Sequence, residues 1–251
     1  MLNLIGLGHS HIVALAKGAY AFAAKGREVD GSPLRGRFRY LYDEAYMPAF
    51  AKNELNPAIL AGLEAEPPQF LLMSIGGNEH NVVSMRQPSR RFDFILGAEP
   101  DAPVDPTADI VPEAAIRATL AGYMAENLNV LEAVRAASRL PMILVEPPPP
   151  LPRAHVLAYP KEFFRTLVDQ KGMSSDALRR KVWRVQAAMM RADCERLGVS
   201  YVETPADVIG PDGLLKRSLC GQDASHANEA YGEVMIELAA RAATSILQGA
   251  N

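Results

Sequence analysis

Apolar residues fall along the chain in two patterns: short unbroken runs, and longer stretches where they recur every third or fourth position. Leu2 to Leu7 is a short run that stops at Gly6-Leu7-Gly8, and an apolar run braked by glycine predicts a buried parallel strand. Gln69 to Ile75 reads the same way and ends at Gly76-Gly77. Pro141 to Val145 is a third such run, closed by Pro147 to Pro150, which must leave a sheet because proline has no N–H for a ladder. Phe38 to Tyr42 and Val199 to Val202 have strand composition. Between these runs, His11 to Ala24 is rich in Ala, Leu and Val and predicts a helix ended at Gly26. Asn53 to Leu63 predicts a short helix. Ile116, Leu120, Met124, Leu128 and Leu131 mark one face of a helix beginning near Pro112. Leu178, Val182, Val185, Met189 and Ala192 mark another, capped by Ser174 or Ser175 and ended at Gly198. Val234, Leu238, Ala242 and Ile246 stripe a last helix from about Ala227 to Gln248.

Strands thus alternate with helices from end to end, the pattern of a parallel sheet covered on both faces. The expected fold is α/β, a three-layer α/β/α sandwich on a flavodoxin-like five-stranded parallel sheet, in one domain over residues 1–251. Residues 80–111 show no periodicity and hold Pro88, Pro100, Pro103 and Pro106 among Arg86, Arg90, Arg91 and Phe92, so a long loop insertion is expected there. In open parallel sheets ligands sit at the carboxyl ends of the strands. Two polar clusters fall there, His9-Ser10-His11 and Asn78-Glu79-His80.

Composition changes this picture little. With 26 basic and 29 acidic residues the net charge is −3, so no basic footprint for nucleic acid is present. No apolar run is long enough for a membrane span, and Met1 to Leu7 lacks the basic lead-in of a secretory leader, so the cytoplasm is the expected location. Cys194 and Cys220 form no CxxC pair and read as small apolar residues. No cofactor is expected, and the partner expected is a small molecule.

Three groups of residues carry candidate chemistry. Ser10 lies where a strand gives way to a helix, which exposes its hydroxyl at the sheet edge and points its own N–H at a developing anion. Asp223-Ala224-Ser225-His226 offers a base and the carboxylate that orients it, three residues apart. Gly76-Gly77-Asn78-Glu79 offers close backbone approach and a neutral amide donor. Each alone also reads as a helix cap or a turn.

Together, and in this order, Gly8-His9-Ser10, Gly76-Gly77-Asn78-Glu79 and Asp223-Ala224-Ser225-His226 resemble the blocks of the SGNH (GDSL-type) hydrolase superfamily. The resemblance implies a serine esterase or acyl hydrolase that forms an acyl-enzyme on a small ester or O-acetylated substrate. Ser10, Asp223 and His226 would be its triad, and the Ser10 N–H and Asn78 its oxyanion donors. An acyltransferase would use the same residues. His9 and Glu79 stand where the family has Asp. The family's glycine after the second strand has no counterpart, since Asp43-Glu44-Ala45-Tyr46-Met47-Pro48 follows Tyr42, and this keeps open a non-catalytic binding module. His9 and His11 form an HxH pair that would suit a metal-dependent hydrolase if they shared a face. Gly6-Leu7-Gly8 is half a dinucleotide fingerprint, with His11 at the third glycine position.

Overall fold

The computed structural model describes residues 1–64, 68–159 and 163–249. Its strands are β1 (Leu2–Gly8), β2 (Glu28–Val29), β3 (Ser32–Tyr40), β4 (Phe50–Ala51), β5 (Glu54–Leu55), β6 (Phe70–Ser74), β7 (Phe92–Asp93), β8 (Asp109–Ile110), β9 (Met142–Val145) and β10 (Ser200–Val202). Its helices are α1 (Ile12–Ala24), α2 (Pro57–Glu64), α3 (Glu79–Ser84), α4 (Glu113–Ala137), α5 (Arg153–Ala158), α6 (Phe163–Lys171), α7 (Asp176–Leu197) and α8 (Glu229–Gly249).

The main sheet has the order β10-β9-β6-β1-β3-β2. Five of these strands run parallel, with β1 central between β3 and β6. The sixth corrects the five-stranded expectation. β2 pairs antiparallel with β3 through Glu28↔Pro33 and Val29↔Ser32. Asp30 and Gly31 turn the chain between them with φ of 49° and 74°, the positive pair that a two-residue hairpin requires. A two-residue strand is too short to leave a periodic signal. β3 also begins earlier than expected, because Arg35, Gly36 and Arg37 hide its register against Asn3, Leu4 and Ile5.

The inner strands β1, β6 and β9 are buried on both faces. Leu2 and Leu4 of β1 pack with Ile12, Leu15 and Phe22 of α1 and Met235, Ile236 and Ala239 of α8. Ile5 and Leu7 face the other way, into Ile116, Leu120 and Leu131 of α4 and Leu178, Val182 and Val185 of α7. Alternation along one strand therefore divides the core in two. α1 and α8 approach so closely that a Cβ on Gly232 would lie 1.9 Å from the Ala14 carbonyl oxygen. α7 begins at a Ser175 cap, whose side chain accepts from Leu178 N–H, and ends at Gly198 with φ 63°.

The stretch expected as a loop from residue 80 opens with α3, six residues that complete too few turns to show a period. Farther on, β7 and β8 pair as a short parallel ribbon. Lys181 of α7 pins this segment: its Nζ lies 2.5 Å from Asp93 Oδ1 and donates to the Phe94 and Pro103 carbonyls, with both charged side chains buried. Cys194 and Cys220 are buried free thiols, and burial pushes both up to about 12. Among the described residues, no helix is long and apolar enough to cross a membrane.

Candidate active site

The central strand delivers Ser10 to the carboxyl edge of the sheet. His9 N–H donates to the Ser74 carbonyl of β6 at 2.9 Å, and Ile12 N–H to the His9 carbonyl at 3.0 Å, so the turn into α1 is fixed at both ends. Gly8 permits the crossing, since a Cβ there would meet the Ser74 carbonyl oxygen at 2.4 Å. That is a strand-packing role, and it accounts for the second glycine of the half dinucleotide fingerprint. Ser10 is half-buried and lines a cavity of about 620 Å³ together with Val13, Lys17, Tyr40, Asp223 and His226.

Asp223 and His226 meet in that cavity. Asp223 Oδ1 accepts from the N–H groups of Ser225 at 2.8 Å and His226 at 2.7 Å, while Oδ2 lies 2.8 Å from His226 Nδ1. Burial opposes the charged carboxylate, but the His226 and Ser225 hydrogen bonds outweigh it and hold Asp223 at about 2. It is therefore an anion at neutral pH, and its Oδ2 orients the His226 ring through Nδ1. His226 Nε2, left free to accept a proton, is buried and has no hydrogen-bond partner. Ser10 shares the cavity with His226, but no hydrogen bond joins them.

The third block is held from behind. Gly76 and Gly77 have φ of 67° and 107°, which side-chain-bearing residues avoid. Glu79 is buried and accepts from Gly77 N–H at 2.7 Å, Asn127 Nδ2 at 2.5 Å and Gln186 Nε2 at 2.6 Å. Asn78 follows this turn, its Oδ1 accepting from Asn81 Nδ2 at 3.0 Å. The Asn78 side chain lies beside His11 and is not among the residues lining the cavity.

The two histidines flanking Ser10 diverge. His9 Nδ1 accepts from Gly76 N–H at 3.0 Å, and its ring stacks on Tyr42 at 4.6 Å. Burial lowers its pKa to about 4, so it is neutral. His11 turns inward, its ring 4.8 Å from that of His226. The two therefore share no face, and among the described residues no group of three or more His, Cys, Asp or Glu is arranged to hold a metal ion. After β3, Leu41 N–H is taken by the Gly8 carbonyl, and Tyr42 covers His9.

Sequence reasoning missed Tyr42, the anchoring by Glu79 and the inward turn of His11. A signal existed for His11 alone, as the residue adjoining Ser10. The other two depend on contacts across 33 to 107 positions of chain.

No protein-family model and no curated protein sequence matches the chain. Among solved structures, the chain is similar to a candidate acylhydrolase from Bacteroides fragilis at 12% identity and a TM-score of 0.49, covering 98% of this chain and 88% of that one. It is similar to a GDSL-like lipase from Bacteroides thetaiotaomicron at 13% identity and a TM-score of 0.44, covering 97% and 88%. It is also similar to the periplasmic domain of a lipopolysaccharide acetyltransferase from Salmonella ser. Paratyphi A, at 12% identity and a TM-score of 0.47, covering 98% and 83%.

Proposed function

We propose that the chain is a serine acyl hydrolase of the SGNH type, acting on a small ester or O-acetylated substrate within a single three-layer α/β/α domain. The observation that carries the reading is the Asp223–His226 pair at 2.8 Å on the wall of the cavity that Ser10 also lines. In this reading Ser10 Oγ attacks the ester carbonyl and His226 Nε2 takes its proton. Asp223 holds the ring and stabilises the imidazolium. The Ser10 N–H receives the oxyanion; the resembled family takes its second donor from an Asn at the Asn78 position, which here lies beside His11 and outside the cavity lining. The imidazolium gives its proton to the departing alcohol, and water then releases the acyl group from Ser10 by the reverse path. Another hydroxyl in place of that water makes the same site an acyltransferase.

A non-catalytic binding module is favoured by two observations: His226 Nε2 makes no hydrogen bond to Ser10, and the glycine that the resembled family has after its second strand has no counterpart here. Hydrolysis of short-chain p-nitrophenyl esters by the wild type and by Ser10→Ala, each with and without a chelator, separates the readings. Turnover that survives chelation and falls at least a thousandfold, on the order expected for a lost nucleophile, in Ser10→Ala supports the serine hydrolase. Turnover indifferent to Ser10 sinks it.

A further inference from the structure

Buried polar atoms without a partner are uncommon, and one at the edge of a catalytic constellation calls for a reason. Two lie together here. His11 Nε2 and His226 Nε2 are both buried and unpartnered, and they belong to rings 4.8 Å apart and inclined at 55°. His11 is only 6% exposed. It is absent from the lining of the cavity that holds Ser10 and His226, and lines a small neighbouring pocket with Ser74, Gly76, Glu146, Pro147 and Tyr231. The backbone is shaped to admit it. A Cβ on Gly77 would come within 2.7 Å of His11 Cδ2 and 3.1 Å of both its Nε2 and Pro147 Cβ, so the ring fills the space that this glycine leaves. His11 thus touches all three blocks of the candidate site: it follows Ser10, occupies the hollow of Gly77 beside Asn78, and lies against His226.

Its charge state is set by the same surroundings. Burial, then the neighbouring His226 and His80, lower its pKa to about 3, against the opposing pull of Asp223 and Asn78. His226 is faced by His11 from the α1 side and by Asp223 and Ser225 from its own turn, with Lys17 and Glu229 on the walls of the open cavity. At neutral pH the ring beside His226 is therefore polar and uncharged. A second cation there would oppose the imidazolium, and a ring without nitrogen would offer its charge only the attraction of a π face in place of a polar atom.

We propose that His11 is a positioning residue for His226, an uncharged polar ring that holds the imidazole in place and supports its protonated form during turnover. The inference rests on the Ser10–His226–Asp223 reading. The test compares wild type, His11→Phe and His11→Gln, with the folded state of each checked by thermal melting. It reads p-nitrophenyl ester kinetics against pH and the NMR titration of His226 in imidazole-labelled protein. The expected result for His11→Phe is a kcat lowered tenfold or more with KM changed less than twofold, and a His226 midpoint lowered by at least about half a pH unit. His11→Gln, which restores a polar group without the ring, recovers part of the midpoint shift. An unchanged His226 midpoint in a folded His11→Phe protein overturns the proposal, whatever the activity. If the wild type turns over no ester, or Ser10→Ala is as active as wild type, the hydrolase reading fails by itself. The titration still decides whether His11 supports the charged form of His226.

Discussion

Acid should unfold this protein through its histidines before its carboxylates titrate. His9, His11 and His80 are 7%, 6% and 1% exposed, with pKa values lowered to about 4, 3 and 3 by burial. In the unfolded chain each returns to 6.5. Above pH 6.5 both states hold these rings neutral and stability is at its full value. As pH falls from 6.5 toward 4, the unfolded chain binds three protons that the folded one refuses, and stability drops. Each proton is worth about 1.4 kcal/mol per pH unit, so three give a slope of about 4 kcal/mol per unit, or roughly 8 kcal/mol lost by pH 4.5. That is comparable to the whole stability of an ordinary domain, about 5–15 kcal/mol. Urea unfolding at half-unit steps from pH 7 to 4.5 measures the slope, and His80→Gln should cut it by about one third whatever its effect at pH 7. A slope of one proton or less between pH 6 and 4.5 would refute the assignment of three buried neutral histidines.

Other substitutions test the supports of the site and the core. Glu79→Ala orphans the Gly77, Asn127 and Gln186 donors and should cost about 3–6 kcal/mol in denaturant unfolding; a loss under 1 kcal/mol would show that the carboxylate does not hold the turn. Lys181→Met leaves the Asp93 carboxylate buried without its cation and should cost about 3–5 kcal/mol, read as a shift of the urea midpoint; an unmoved midpoint would mean that the pair is not closed in solution. Gly232→Ala puts a methyl group into the Ala14 carbonyl and should lower stability by about 3 kcal/mol; a melting temperature unchanged within a degree would contradict the close α1–α8 contact.

How far the sequence could be read depended on how local each signal was. Ser10 after a braked strand, and Asp223 three residues before His226, are short-range patterns, and the Asp223–His226 contact needs only the geometry of one turn. Asn78 was legible as a residue after two glycines. Its neighbour Glu79 shows in the sequence only as a residue standing where the resembled family has Asp, yet it reaches Asn127 and Gln186, 48 and 107 positions away.

The sequence by itself determined the alternation of strands and helices, because unbroken apolar runs and a 3.6-residue period are properties of neighbouring residues. It also determined where helices stop, as at Gly198, where one residue's backbone freedom suffices. Only the tertiary structure decided which way the two histidines beside Ser10 turn. His9 follows the Gly76 N–H and the Tyr42 ring, while His11 enters the hollow beside Gly77, and those partners lie 66 to 67 or 33 residues away in the chain. The antiparallel edge strand was likewise settled by its pairing, since two residues gain their place from the hydrogen bonds of a neighbour and not from any pattern of their own.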